Sequence, residues 1–212
     1  MGIRCDVSNL GQLQNLVAKT VSHYGRIDGL VNNAGVNFVK SFLDVTEEEW
    51  DWVQGVDLKG SFFLSQYCAR QMLAQKPSGG AIVQIASVHT QASLIGAAPY
   101  DAAKCGMVGF TKAAAVELAS RGVRLNILSP GLCHTEIWKE IVAAAPSEQA
   151  CWDYWKANIP GARLIEPEEV GQACVFLLSG ASSSMTGANV IADMGMTSLL
   201  VSREPYASKD IV

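Results

Sequence analysis

Short runs of apolar residues alternate along the chain with longer segments in which apolar residues recur at helical spacing. The short runs predict strands over residues 2–5, 27–31, 81–87, 123–128 and 188–192. The longer segments predict helices over residues 9–24, 50–75, 100–120 and 166–179. Such an alternation is typical of βαβ units with a parallel sheet. The pattern therefore predicts an α/β fold. Because no linker or internal repeat interrupts the pattern, we expect a single domain over residues 1–212.

Local signals add detail between the predicted strands. Thr46 followed by Glu49 is a capping box, which predicts the start of a helix. Residues 134–160 are irregular or helical and rich in aromatic side chains. Two interpretations of this stretch are open. It is either a lid that excludes water with Trp152 and Trp155, or a flap packed against its own domain.

Composition and charge exclude several classes of function. The 212 residues carry a formal net charge of -4, and the pI is about 5.4. We therefore expect neither nucleic acid nor an anionic membrane as a partner. No run of 18 apolar residues and no secretory signal is present, so we expect no membrane span. The six cysteines lack paired spacing and the three histidines are far apart. These features predict reduced thiols, no metal site and a cytoplasmic location.

Tyr100 and Lys104 form the first candidate for chemistry. Residues four positions apart on a helix share a face, so the lysine ammonium is expected near the phenol oxygen. A nearby positive charge favours phenolate and lowers the pKa of a tyrosine. A tyrosine in this setting can exchange a proton with a substrate hydroxyl or carbonyl group.

Polar and small residues also follow three of the predicted strands. Ser87 ends the strand over 81–87, Asn32-Asn33-Ala34-Gly35 ends an earlier strand, and Pro130-Gly131 with Thr135 ends a later one. Ligands of open parallel sheets bind outside the carboxyl ends of the strands. The three strand ends are therefore predicted to meet at one cleft beside Tyr100.

In this order, the motifs resemble those of the short-chain dehydrogenase/reductase family. The resemblance runs from the first residue to about Gly195. It rests on Cys5-Asp6-Val7, Asn32-Asn33-Ala34-Gly35, Ser87, Tyr100-Asp101-Ala102-Ala103-Lys104, Asn126, Pro130-Gly131 with Thr135, and Glu166-Pro167-Glu168-Glu169. It implies a Rossmann-like, doubly wound parallel sheet and oxidation or reduction of an alcohol or ketone substrate with NAD or NADP.

The resemblance also implies roles for individual residues. Tyr100 would be the acid/base, Lys104 would lower its pKa and bind the nicotinamide ribose, and Ser87 would donate to the substrate oxygen. Further residues would line the cofactor: Asp6 and Val7 at adenine, Asn33, Ala34 and Gly35 at the adenosine ribose, and Pro130, Gly131, Leu132 and Thr135 at the nicotinamide end. Tyr100 and Lys104 would contact the cofactor as well.

One departure from the family pattern concerns the N-terminal region. Family members begin with a strand, a glycine-rich turn, a helix and a second strand, and the glycine-rich turn binds pyrophosphate at the helix N-terminus. The sequence starts at a segment that matches the third strand, so we expect an N-terminally truncated sheet that lacks roughly 30 or more residues. It would be a fragment or late start of a longer enzyme, a natural truncated variant, or a chain with a different N-terminal fold; we favour the first.

A second departure is Asp57, which stands where the family usually has an asparagine. In the family that asparagine supports a water-linked proton relay to the lysine, so Asp57 is a candidate catalytic residue. An aspartate would accept from the same water but would add a negative charge near Lys104. Pairing of Asp57 with Lys104 would weaken the effect of the lysine on Tyr100. Alternatively, Asp57 is a tolerated replacement.

These features support two hypotheses about function. The first is an NAD(P)-dependent oxidoreductase that interconverts a secondary alcohol and a ketone. The second is a non-catalytic binding or oligomerisation module that has lost cofactor binding. The helical patterns around residues 58–72 and 102–118 are apolar on more than one face. By resemblance these helices form a subunit interface, so we expect a homo-oligomer, either a dimer or a tetramer. Alternatively, their apolar faces are buried within the monomer. His89, two residues after Ser87, is either a substrate-specificity residue that faces the pocket or, as we favour, an ordinary loop residue.

Overall fold

A four-stranded parallel sheet forms the centre of the computed structural model, which describes residues 1–201. The strands lie in the order β1 (Gly29–Asn32), β2 (Gly80–Ile85), β3 (Val123–Pro130) and β4 (Asn189–Ala192). All three strand pairs are parallel, with Gly29 opposite Ala81, Ile82 opposite Leu125 and Ile127 opposite Asn189. The carboxyl ends of the strands therefore lie along one edge of the sheet, and the predicted α/β fold is confirmed.

Helices cover both faces of this sheet. They are α1 (Leu10–Tyr24), α2 (Glu47–Val53), a π-helical segment (Gln54–Gly60), α3 (Ser61–Ala74), α4 (Ala98–Leu118), α5 (Glu136–Ala144), α6 (Glu148–Asn158) and α7 (Pro167–Leu178). α1, α3 and α4 pack on one face and α7 packs on the other. No helix within residues 1–201 is long and apolar enough to cross a membrane.

The core consists mainly of the middle strands and the helices above and below them. Ile82, Val123 and Leu125 from β2 and β3 pack against α1 and α3, and Val83 and Leu128 pack against α7. Consecutive residues of β2 are buried, and successive strand residues point to opposite faces, so both faces of β2 are covered. Its largely apolar sequence fits this position. This burial fixes the register that brings the strand ends together.

The N-terminal segment differs from the prediction. The strand predicted over residues 2–5 is not formed, and residues 1–6 are irregular. Cys5 and Val7 instead pack against the helical side of the core. The carbonyl oxygen of Val7 comes so close to Gly60 that a Cβ atom there would lie 2.5 Å from it. Although β1 is an edge strand, this segment does not pair with it and packs on helices instead.

Two other boundaries differ for identifiable reasons. β1 begins at Gly29, not at residue 27, because the side-chain amide of Gln75 pairs with the backbone of Ile27. The helical pattern predicted over 50–75 is divided by the π-helical segment, which periodicity alone does not reveal. The predicted capping box of Thr46 and Glu49 is present at the start of α2.

Candidate active site

Ser87, Tyr100 and Lys104 lie together at the carboxyl ends of the strands. Ser87 follows β2 and begins a short 3-10 turn, whereas Tyr100 and Lys104 are one turn apart on α4. The Lys104 Nζ atom lies 5.3 Å from the centre of the Tyr100 ring. The Ser87 hydroxyl is close enough to the phenol to stabilise its ionised form. The structure therefore places all three side chains in one cluster.

The protonation of Tyr100 differs from the sequence expectation. Burial disfavours the phenolate and raises the pKa of Tyr100 to about 12, although the hydrogen bond from Ser87 opposes that shift. The negative charges of Asp57 and Asp101 raise the pKa further. The lowering that we expected from Lys104 is not observed, since burial is the largest cause and the group that lowers the pKa is Ser87.

The carboxylate beside Lys104 belongs to Asp57, on the π-helical segment. Its Oδ2 atom lies 3.2 Å from Lys104 Nζ, and both side chains are almost fully buried. Its Oδ1 atom accepts a 2.7 Å hydrogen bond from the backbone N–H of Val36. Lys104 also donates to the carbonyl oxygen of Ile85. Asp57 thus joins the loop after β1 to the lysine on α4.

A cavity of about 350 Å³ opens beside Ser87 and Tyr100. Most of its wall is apolar, with Val39, Leu94, Leu132, Ile137, Ile141, Trp155 and Met196 among the lining residues. The substrate-loop region predicted over 134–160 supplies part of this wall through α5 and α6. Trp138 and Trp155 are buried in a cluster with Cys151, so the region is a packed flap that also faces the cavity.

His89 lines the same cavity and is held from behind. Its Nδ1 atom lies 2.5 Å from Asp101 Oδ1, and the hydroxyl of Ser93 donates to the other carboxylate oxygen. The imidazole meets the Tyr100 ring edge to face, with 5.2 Å between the ring centres. The carboxylate of Asp101 lies in the first turn of α4, where the helix dipole favours a negative charge.

The predicted cofactor residues that follow β1 lie at the same edge of the sheet. Asn33, Ala34 and Gly35 follow β1 and are exposed, as is Asp6, whose carboxylate accepts two hydrogen bonds from Ser8. These bonds lower the pKa of Asp6.

Val7 is half-buried, and Asn32 is not on this surface. The Asn32 amide is buried in a network with Ser65 and Gln84, so this motif residue supports the sheet. Because the Asn32 side chain is buried, it does not reach the surface at the strand ends.

The other end of the edge carries the remaining residues. Pro130 is the last residue of β3, and Gly131 and Leu132 follow it into the cavity wall. A Cβ atom at Gly131 would lie 3.0 Å from the Cα atom of Asp193, so a side chain there would require a small shift of that neighbour. Thr135 precedes α5 and makes no side-chain capping bond to that helix. Thr135 is exposed at this edge.

Four residues contribute to the site in ways that were not anticipated from the sequence. Asp101 holds His89, Cys133 lines the cavity, and Ile137 with Ile141 closes it from α5. One signal was present in the sequence: Asp101 directly follows Tyr100, so both residues lie in the first turn of α4, beside the strand ends. Nothing in the residue pattern pairs Asp101 with a histidine 12 positions earlier.

Comparisons with known proteins agree with this geometry. A family model described as enoyl-(acyl carrier protein) reductase, of the short-chain dehydrogenase type, matches residues 1–197. The chain belongs to the short-chain dehydrogenase/reductase family. It is thus an oxidoreductase of that family, and the family resemblance of the motifs is confirmed.

Individual relatives show how much of a family member the chain spans. It is 38% identical over 191 residues to the 3-oxoacyl-[acyl-carrier-protein] reductase FabG of Thermotoga maritima, an alignment that covers 90% of this chain and 74% of that protein. A short-chain type dehydrogenase/reductase from Mycobacterium marinum has a TM-score of 0.83 at 33% identity, covering 93% of this chain and 75% of the other. The structure of ElxO with NADP bound has a TM-score of 0.84 at 27% identity, covering 93% and 78%.

The residues of this short-chain dehydrogenase/reductase fit the nicotinamide part of such a cofactor. Gly35 approaches the centre so closely that a Cβ atom there would lie 3.3 Å from Lys104 Nζ and 3.4 Å from both carboxylate oxygens of Asp57. The residues before it, Asn33 and Ala34, are exposed, and the cavity lies beside Tyr100. Close backbone approach of this kind is typical of dinucleotide sites.

Proposed function

We propose that this chain is an NAD(P)-dependent oxidoreductase that interconverts a secondary alcohol and a ketone, with Tyr100 as the acid/base. The observation that carries the proposal is that Ser87 and Tyr100 line one cavity while Lys104 lies 5.3 Å from the Tyr100 ring centre. A phenol in contact with a serine hydroxyl can hold a carbonyl oxygen between two hydrogen-bond donors.

In the reductive direction the two hydroxyl groups act on the same oxygen atom. Ser87 and Tyr100 donate hydrogen bonds to the substrate carbonyl, which polarises it. A bound nicotinamide supplies the hydride to the carbonyl carbon in this direction and accepts it in the other. Tyr100 then gives its phenolic proton to the oxygen that becomes a hydroxyl group. Lys104, 5.3 Å from the ring centre, offsets part of the charge that remains on Tyr100.

The shape of the cavity supports a substrate with an apolar body. Its volume of about 350 Å³ suits a small molecule, and Ile137, Ile141 and Trp155 offer apolar contact. A small ketone or a short acyl ketone agrees with this wall better than a sugar, whose hydroxyl groups would lack partners there. The cofactor is NAD or NADP, held at Asp6, the loop of residues 33–35, Lys104 and residues 130–135.

Cofactor titration tests the proposal and separates it from the second hypothesis. Tryptophan fluorescence is recorded while NADH or NADPH is added, and turnover is assayed with a panel of small ketones. Binding at micromolar concentration together with turnover supports the oxidoreductase. Failure to bind at millimolar concentration would instead support a binding or oligomerisation module that has lost the reaction.

We further propose that the chain forms homo-oligomers through α3 and α4. A groove of about 660 Å³ lies between these helices and is lined by Phe62, Ala69, Phe110 and Ala113 among others. The rings of Phe62 and Phe110 meet edge to face at 5.3 Å, and 40% of Phe62 is exposed. Apolar surface of this kind is stabilised by burial against a second chain. A second copy presents the same groove.

A further inference from the structure

The pair formed by Asp57 and Lys104 places two opposite charges in the interior of the site. Lys104 is 4% exposed and Asp57 is fully buried, with 3.2 Å between Nζ and Oδ2. That carboxylate oxygen has no hydrogen-bond donor within residues 1–201, so its contact is the ammonium group. A buried charge is tolerated when an opposite charge lies beside it. Each member of the pair therefore neutralises the other.

Other groups around Tyr100 do not restore a positive charge. The groups that face it come from the end of β2, the 3-10 turn, α4, the π-helical segment and the loop after β3: Ser87, His89, Asp101, Lys104, Asp57 and Cys133. Asp101 is occupied by His89 and Ser93. The ammonium group of Lys104 lies 5.3 Å from the Tyr100 ring centre, and the carboxylate of Asp57 beside it offsets its charge.

We propose that Asp57 is a positioning residue that neutralises Lys104 and so keeps Tyr100 in its phenol form. The inference rests on the proposed function, because it describes how the acid/base of that reaction is set. A site with a protonated tyrosine keeps its proton donor populated up to high pH, although the raised pKa also makes the phenol a weaker acid. The site accepts a proton from an alcohol only when the pH is high enough to ionise the phenol. The chain is therefore adapted to carbonyl reduction over a wide pH range.

The sign of the effect follows from the charges. Replacing Asp57 by asparagine leaves the shape of the side chain nearly unchanged but removes the negative charge beside Lys104. The unpaired ammonium then favours the phenolate, and the pKa of Tyr100 falls. If the pKa of Tyr100 falls by one unit, the phenolate fraction increases tenfold at any pH well below the pKa values of the wild type and the variant.

The test is a spectroscopic titration of the protein without added cofactor. Tyrosinate absorbance near 295 nm is followed as pH rises, and the Tyr100 contribution is obtained by subtracting the same titration of Tyr100→Phe. We expect Asp57→Asn to move the Tyr100 titration at least one pH unit lower than in the wild type. An unchanged or higher midpoint would overturn the proposal. If Asp57→Asn does not give native circular dichroism, Asp57→Ala provides the same comparison.

Two controls distinguish a charge effect from a general disturbance. Asp101→Asn makes the same chemical change in a carboxylate that binds His89 and not Lys104, and it should move the midpoint less than half as far. Asp57→Glu restores the charge and should return the midpoint toward the wild-type value. A shift of equal size in Asp101→Asn would contradict a specific pairing of Asp57 with Lys104.

The reaction itself provides an independent readout. In Asp57→Asn, the pH profile of kcat/KM for alcohol oxidation should shift to lower pH relative to the wild type. The size of this shift should equal that of the tyrosinate absorbance titration. If the chain has no turnover, the proposed function fails but the absorbance titration still decides the role of Asp57. If turnover is present and neither profile moves, the proposed function stands and the role of Asp57 is wrong.

Discussion

The Nδ1 atom of His89 lies 2.5 Å from the Oδ1 atom of Asp101, the residue that follows Tyr100 in the chain. This contact holds the imidazole against the cavity and edge to face with the Tyr100 ring. An aromatic pair of this kind contributes about 0.5–1.5 kcal/mol beyond the area it buries. His89 therefore shapes the wall of the cavity at the point where a substrate oxygen would lie.

Replacement of His89 by alanine should lower kcat/KM about tenfold, mainly through a higher KM, because the substrate loses one side of its pocket. Asp101→Asn should act in the same direction but less strongly, since the imidazole stays while its tether weakens. Steady-state kinetics with one ketone at fixed cofactor concentration measures both. Gln91→Ala, an exposed change just beyond the same turn, is the control and should have no effect. Equal kinetics for His89→Ala and the wild type would rule out this contribution.

Replacement of Tyr100 by phenylalanine removes the hydroxyl group and leaves the ring. Turnover should fall roughly 10²- to 10⁴-fold, the range that general acid–base catalysis contributes. The melting temperature should change little, because the ring contacts with His89 and Lys104 remain. Tyr154→Phe makes the same chemical change at an exposed position and should keep full activity. Activity retained in Tyr100→Phe would exclude Tyr100 as the acid/base.

Gly60 leaves room for the backbone of the N-terminal segment. A methyl group there would lie 2.5 Å from the carbonyl oxygen of Val7, so Gly60→Ala should displace residues 6–8 or destabilise the chain by about 1–3 kcal/mol. A methyl group added at Gly109, on α4, would have no neighbouring atom within 4 Å, and Gly109→Ala should stabilise the helix by up to about 1 kcal/mol. Denaturant unfolding measures both changes. Opposite signs are expected, and equal signs would contradict the close approach of Val7.

The N-terminus of α7 should contribute stability that depends on pH. Hydrogen bonds from Arg163 and from the backbone of Glu166 lower the pKa of Glu169 from 4.5 to about 2. A carboxyl group with a lowered pKa stabilises the fold above its unfolded pKa, and the contribution is lost as pH falls from about 4.5 to 2. Glu169→Gln should therefore be less stable than the wild type at pH 7, and the difference should shrink over this interval. Glu168→Gln, on the same turn, is the control; a constant difference would refute the linkage.

If the chain associates through the groove between α3 and α4, a charged residue in that groove should weaken the association. A charge placed among its apolar residues would have to be buried without a partner on association. Ala113→Glu should therefore shift the protein toward monomer in light scattering coupled to size-exclusion chromatography. Lys19→Glu adds the same side chain on exposed α1 and should leave the molar mass unchanged. A wild type that is monomeric at tens of micromolar would contradict self-association through this groove.

Much of the architecture could be predicted because it follows from local patterns. Periodicity separated strands from helices, and the capping box located the start of α2. The motifs at Ser87 and Tyr100 identified the family and the edge of the sheet that carries the site. These features depend on residues that are neighbours in the chain or on one helix face.

Other features required contacts between distant segments. The run over residues 2–5 carries a strand pattern, yet it pairs with none of the four strands and packs on helices, a choice that local pattern does not encode. The π-helical segment places Asp57 beside Lys104, but the apolar spacing of this region predicts one continuous α-helix. The pKa of Tyr100 is raised by burial and by the charge of Asp57 on a separate element. The presence of Lys104 four residues away therefore predicted the wrong direction of the pKa shift. Local spacing specifies which face a side chain occupies, whereas burial and charge pairing arise only when separate elements come together.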